Sequence, residues 1–537
     1  MIINRIVGLV RQLHPRCLQR SYQEGVYREQ AERILATFSM RGLEKFDGRV
    51  LVDAMWDNPN YWIRYTLLRA ALGLANGHEV GVLGPYCVKS CMKTLKRFGI
   101  SETVQITSLQ DEDRETHRKE ARRLRDHTRT PDDILHWPLP YNFPADFVYD
   151  GILKRQREAC VNLEDPRLLD YVAEALGSIA AAEKVLNQHH FDLIVLSHAV
   201  NFQFAALAWL AVQRRIPVLI AYGNYGVARF AKMLEPHNIY DTTDRPQRCE
   251  LDTLPGHKAK AMAAIGVSYL QKRRAGETGD MGARYAFRRY RGNINRAAII
   301  EEFCWDSSLP IVAVYAANWF DFPHPCGMTS FRDFFDWIQA TLTVAMRNRR
   351  ANWLFKAHPC DEWYGGVTLA DLIPPLKGYN HIRVVPKEWS GSALLDAVDG
   401  VVTYHGTVGV EAAAFGKPVL VSDRGWYHEA GFVKWPRSRE EYLEALGTDW
   451  WKDLDLSATT HRARIFAGWY FGRPAWQGRF VLDDDTVQTL IYEKIPQLFQ
   501  ESDKVLDKEL KTIQEWFNSR SRHYHTYKMS QAEEFDC

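Results

Sequence analysis

The chain has 537 residues, 46% apolar and 25% charged, enough for two or three domains, and no long Gly-, Pro- or Ser-rich tract suggests disorder or a fibrous repeat. Its 68 basic and 66 acidic residues leave a formal charge of +2, so no nucleic-acid partner is expected and any anionic ligand must be held locally. Nine scattered cysteines without CxxC pairs read as reduced thiols of a cytoplasmic protein, not as disulfides or a zinc site.

No stretch approaches the roughly 18 to 20 apolar residues that span a bilayer. Residues 1–48 read as an N-terminal helical segment without the cleavage site of a secretory signal. There Ile2, Ile3, Ile6, Leu9, Val10 and Leu13 alternate with Arg5, Arg11, Arg16 and Arg20 at helical spacing. A packed helix explains this best; a peripheral helix touching the inner face of the cell membrane is the alternative.

From residue 49 the pattern is that of a parallel α/β sheet. Arg49–Asp53 is a short β-branched strand, Tyr61–Ala75 a helix and Glu79–Gly84 a second strand, while the dense charge of 111–131 suits a solvated helix. Phe191–His198 and Ile216–Ala221 are further buried strands on either side of the apolar helix Phe202–Gln213. A first lobe therefore covers 49–300, with insertions and the basic aromatic run Arg284–Arg291.

The second lobe, 301–455, alternates more regularly. Strands are expected at Leu309–Tyr315, Trp353–Lys356, His381–Val385, Gly400–Tyr404 and Pro418–Val421, with helices over Phe331–Arg347, Ser392–Val398 and Val408–Phe415. Residues 456–537 add helices over 485–501 and 503–517, and the last fifteen residues read as a polar tail.

In such a sheet, ligands sit beyond the carboxyl ends of the strands, where helix N-termini present backbone N–H groups to anions. The loop His405-Gly406-Thr407 occupies that position. Gly406 and Gly409 would let a phosphate approach the backbone, Thr407 adds a hydroxyl, and Glu411 is placed to accept hydrogen bonds from a ribose or sugar. Lys356-Ala-His358-Pro359 ends another strand of the same lobe, and the proline holds His358 extended. Ser392 lies at the start of a nearby helix.

The set Trp337, Lys356-Ala-His-Pro359 with Asp361 and Glu362, Ser390-Gly-Ser392 and Thr403-Tyr-His-Gly-Thr-Val-Gly-Val-Glu411 through Pro418 resembles the C-terminal lobe of bacterial capsule polysaccharide biosynthesis proteins, a family that includes Kdo transferases. The resemblance covers residues 305–445. It implies an α/β fold of the GT-B type, two Rossmann-type doubly wound lobes facing a cleft, with helical insertions and C-terminal helices. It also implies a glycosyltransferase; because no DxD-like acidic pair after a strand demands a metal, and helix dipoles with basic side chains can stabilise a leaving phosphate, metal independence is expected, with no cofactor. The donor would be a nucleotide sugar, such as a CMP-linked acidic sugar of the Kdo kind, with His358 and Thr407 on the nucleotide phosphate. The acceptor would be a growing capsular or lipopolysaccharide-type glycan or glycolipid.

Inverting transfer needs a general base from the first lobe, and Asp53 and His198, each after an apolar strand, are the candidates. Asn224, Arg288 and Arg291 are candidates for holding the acceptor. A sugar-nucleotide 2-epimerase, a polyol-phosphate transferase and a non-catalytic scaffold of a polysaccharide assembly complex are the competing readings.

Overall fold

The computed structural model describes residues 15–41, 46–85, 87–106, 111–222, 228–278, 287, 294–359, 361, 366–373, 378–472, 492, 495–499 and 504–531. The helical spacing of residues 1–14 and most of the 485–501 helix lie outside them.

Six strands build the first sheet: β1 (Arg49–Ala54), β2 (His78–Leu83), β3 (Glu102–Gln105), β4 (Leu193–Leu196), β5 (Val218–Tyr222) and β6 (Arg229–Met233), in the order β3-β2-β1-β4-β5-β6. All pair in parallel except β6, which runs antiparallel to β5. Strand β4 is buried throughout, which is why its sequence reads as an unbroken apolar run. After β1, Asn58 caps the helix Pro59–Leu72 by accepting from the Asn60 N–H at 3.0 Å, and Gly73 ends it at φ 64°.

The second sheet is wholly parallel. Its strands β7 (Ile311–Tyr315), β8 (Asn352–Lys356), β9 (Ile382–Val384), β10 (Gly400–Thr403) and β11 (Val419–Val421) lie in the order β11-β10-β7-β8-β9. Two α/β sheets, one wholly parallel and one parallel but for its edge strand β6, are the two-lobed architecture that the GT-B resemblance implies.

Two boundaries differ from the sequence reading. The first lobe does not extend to residue 300, because the helices after residue 248 pack on the second sheet's side. Met262, Tyr269, Leu270 and Ile299 share a core with Ile311, Val401 and Phe466, and Arg273 is ion-paired to Glu411. The chain crosses between lobes near residues 241–248, where the Arg248 N–H donates to the Glu429 carbonyl at 2.8 Å.

Nor is the described part of the last fifteen residues, up to Gln531, a polar tail. Tyr524–Gln531 is a helix whose Tyr524, His525 and Met529 are buried, and Tyr524 joins Trp516 and Leu510 in the first lobe's core. Apolar burial of three residues outweighs the polar composition that surrounds them.

The lobes meet through the helix Ala145–Gln156 of the first and the loop after β7 of the second. Asp150 pairs with His324, and Tyr149 donates to Asp333. Among the described residues no helix is long and apolar enough to cross a membrane, and no cluster of His, Cys, Asp or Glu could hold a metal ion.

Candidate functional site

In the second sheet the chain steps outward from β7 to β8 to β9, then restarts on the other side of β7 with β10 and β11. The loops after β7 and β10 therefore diverge, and this switch point opens a crevice at the carboxyl ends of the strands. Helix Thr407–Ala414 starts there, with Gly406 as its cap. The Gly406 N–H donates to Thr403 Oγ1 at 3.3 Å. Trp426 Nε1 and the Tyr427 hydroxyl donate to the carbonyls of His405 and Gly406 at 2.7 and 2.8 Å. The loop after β11 thus fixes the 405–406 turn and sets the positive end of the helix at the sheet edge.

Lys356 ends β8 in register with Tyr315 of β7. Its Cε lies 3.9 Å from where a Cβ would stand on Gly391, at the start of helix Gly391–Ala397. Ser390 caps that helix and its hydroxyl is 3.0 Å from that of Ser392, so Lys356 and Ser392 are brought together at a second helix N-terminus. Burial lowers the Lys356 ammonium to about 8, which still leaves most of it charged at neutral pH.

His358 follows two residues later. Burial pushes its imidazole down to about 4, against the opposing charge of Asp321, so it is neutral at pH 7 with one ring N–H as its donor. His405 is likewise lowered to about 4 by burial; its ring packs on Tyr404 and Phe334, and its Nε2 is buried without a partner among the described residues.

Two expectations in this lobe are corrected. Gly409 does not leave room for a phosphate: a Cβ there would collide with the Tyr427 phenol, so its missing side chain is filled by that ring. Glu411, 3% exposed, does not face a ligand; its carboxylate takes the Arg273 Nε–H at 2.6 Å.

The first sheet has its own switch point between β1 and β4. His198 lies there, just after β4, with its ring 4.1 Å from that of Phe204 and Nδ1 2.7 Å from the Ser197 hydroxyl. Burial lowers it to about 4, so it is an unprotonated base at neutral pH. Trp56, 50% exposed, stands edge-on to it at 6.0 Å.

Asp53 is not placed as a base. It is 1% exposed, and its two oxygens accept from the Met55 and Ser197 N–H groups at 2.8 and 2.9 Å, tying the end of β1 to that of β4. Burial raises its pKa. Asn224, Arg288 and Arg291 lie outside the described residues.

Sequence reasoning assigned no role to three groups at these edges. Arg245, on the crossover, donates to the Tyr240 carbonyl at 2.8 Å, and its charge reaches His405 and His428. It stands in a stretch without strand or helix periodicity. Asn318 and Asp361, in the loops after β7 and β8, meet at 3.5 Å, and burial raises Asp361 to about 7. Asp361 follows closely on His358-Pro359, which was the available signal.

Residues 325–445 match the model of the capsule polysaccharide biosynthesis protein family. The matched residues lie within the second lobe. No curated protein matches the chain. Among solved structures, the chain is similar to UDP-GlcNAc 2-epimerase from Neisseria meningitidis bound to UDP-GlcNAc, at 14% identity and TM-score 0.26, over 82% of this chain and 99% of that one. The glycosyltransferase SnogD from Streptomyces nogalater matches at 12% identity and TM-score 0.22, over 85% and 100% of the two chains. Arabidopsis thaliana UGT89C1 complexed with quercetin matches at 10% identity and TM-score 0.25, over 85% and 100%. At TM-scores this low they add nothing to the fold assigned from the two sheets.

Proposed function

We propose that this protein is a metal-independent glycosyltransferase that moves a sugar from a nucleotide-activated donor onto a growing capsular or lipopolysaccharide-type glycan. The observation that carries the reading is that Lys356 and His358 follow β8 on one side of β7 and the Gly406-capped helix follows β10 on its other side, so both loops leave the same carboxyl edge of the second sheet. A cation, two neutral imidazoles and two helix N-termini suit a leaving nucleotide phosphate, whose charge grows as the sugar departs.

In this reading the donor is a CMP-linked acidic sugar of the Kdo kind, held by Lys356, His358, Ser392, His405, Gly406 and Thr407. His198 accepts the proton of the attacking acceptor hydroxyl, and Trp56 offers an acceptor sugar ring an apolar face. Work at the inner face of the cell membrane fits the class of acceptor.

The test is nucleotide release from CMP-Kdo and UDP-sugars, with and without capsular oligosaccharide. Release that requires the oligosaccharide supports the transferase. Turnover of the donor alone would favour an epimerase, and binding without turnover a scaffold.

A further inference from the structure

Asn318 and Asp361 lie in the loops that follow the neighbouring strands β7 and β8, at the same edge as Lys356 and His358. Asn318 is 4% exposed and reaches Asp361 Oδ1 through Nδ2 at 3.5 Å, while the Asp361 N–H donates to the His358 carbonyl at 3.1 Å. Each of the two side chains also carries a buried oxygen, Asn318 Oδ1 and Asp361 Oδ2, that has no hydrogen-bond partner among the described residues. Buried acceptors are almost always paired, and since no described residue supplies a donor to either oxygen, a ligand is the candidate donor.

The chemistry of that donor follows from the rest of the edge. Lys356 and the helix N-termini suit anions and offer nothing to a hydroxyl hydrogen. Glu411, the acidic residue best placed in the sequence to accept from sugar hydroxyls, is committed to Arg273. Among the described residues, Asn318 and Asp361 carry unpaired acceptors in the loops beside His358.

We propose that Asn318 and Asp361 form a hydroxyl-binding pair that accepts hydrogen bonds from a vicinal diol of the nucleotide-activated ligand. This rests on the donor-site reading above. A diol matches two adjacent acceptors, and the ligand offers vicinal diols on its ribose and on its sugar.

The experiment is calorimetric titration of the full chain with CMP, UDP and their 2′-deoxy forms, then with CMP-Kdo and UDP-GlcNAc, in wild type, Asp361→Asn and Asn318→Ala, each first shown to melt cooperatively. If the pair holds the ribose, wild type binds a ribonucleotide about tenfold more tightly than its deoxy form, and both variants shrink that ratio to about twofold or less. If it holds the sugar, the ribo-to-deoxy ratio survives and the variants lose the tighter binding of a nucleotide sugar over its free nucleotide. Both differences unchanged in both variants overturn the pair. Should wild type bind none of the six ligands, the donor-site reading falls, and the pair falls with it.

Discussion

Asp150 of the first lobe receives the backbone N–H of His324 of the second at 3.0 Å and faces its Nδ1 at 2.7 Å, with both side chains buried. Burial lowers the His324 imidazole, but the Asp150 carboxylate outweighs it and holds the group above its ordinary range, with Asp146 and Asp333 acting in the same direction. Removing one partner of such a pair strands the other in the interior, so Asp150→Asn and His324→Ala should each cost about 3–5 kcal/mol. Because the folded pKa of His324 is raised, its stabilisation is complete below the unfolded value near 6.5 and fades as pH rises through the folded one. Denaturant melts of wild type at pH 6 and pH 9 should show the loss, and His324→Ala should lack it.

His198→Ala should lower kcat about 10²- to 10⁴-fold and leave nucleotide affinity unchanged, since the imidazole lies in the other lobe from the phosphate site. With its pKa near 4, the wild-type rate should hold from pH 8 down to pH 5 and fall only near pH 4. A rate profile against pH with saturating acceptor checks both points. Asp53→Asn, by contrast, should lower stability through the loss of its ties to Met55 and Ser197.

Gly409→Ala should drive a methyl into the Tyr427 ring and cost about 1–3 kcal/mol as overpacking. Tyr427→Phe keeps the ring and loses only the bond to the Gly406 carbonyl, about 1 kcal/mol. Both should also weaken nucleotide binding, because the 405–406 turn loosens. Thermal melts with and without nucleotide separate the two effects.

Asp361 carries a pH signature of its own. Its folded pKa of about 7 stands above the unfolded value near 3.9, so the chain loses stability as pH climbs between the two. Asp361→Asn should flatten that slope between pH 4 and pH 7, measured by melting temperature.

The second lobe was legible because its strands are parallel and buried, so Ile311–Tyr315, Gly400–Thr403 and Val419–Val421 read as continuous apolar runs ended by loops. Strand β6 was not, because it carries Arg229 and Lys232, residues that normally argue against burial. Both are buried with partners hundreds of residues away. Lys232 donates to the carbonyls of Trp516, Phe517 and Ser519 at 3.1, 3.2 and 2.7 Å, capping the helix Lys504–Asn518, and the Arg229 guanidinium lies 3.9 Å from the Tyr470 ring.

The same long-range pairing hid the crossover and the roles of Glu411 and Asp53. Local pattern showed that each is acidic at the end of a strand or the start of a helix. It could not show that Arg273 and the Ser197 N–H were already waiting for them. The loops Lys356–His358 and His405–Thr407 were readable because strand ends and helix starts are local signals.

The central claim, a nucleotide phosphate held at the switch point of the second sheet, is tested most directly by thermal shift with CMP, CDP, UDP, GDP and ADP on wild type, His358→Ala and Thr407→Ala. A ligand that binds only the native state raises the melting temperature by mass action. The account predicts a rise in wild type, selective for CMP, that both folded variants reduce, each by about tenfold in affinity. A rise that persists undiminished in both variants, or no rise in wild type with any nucleotide, would contradict it.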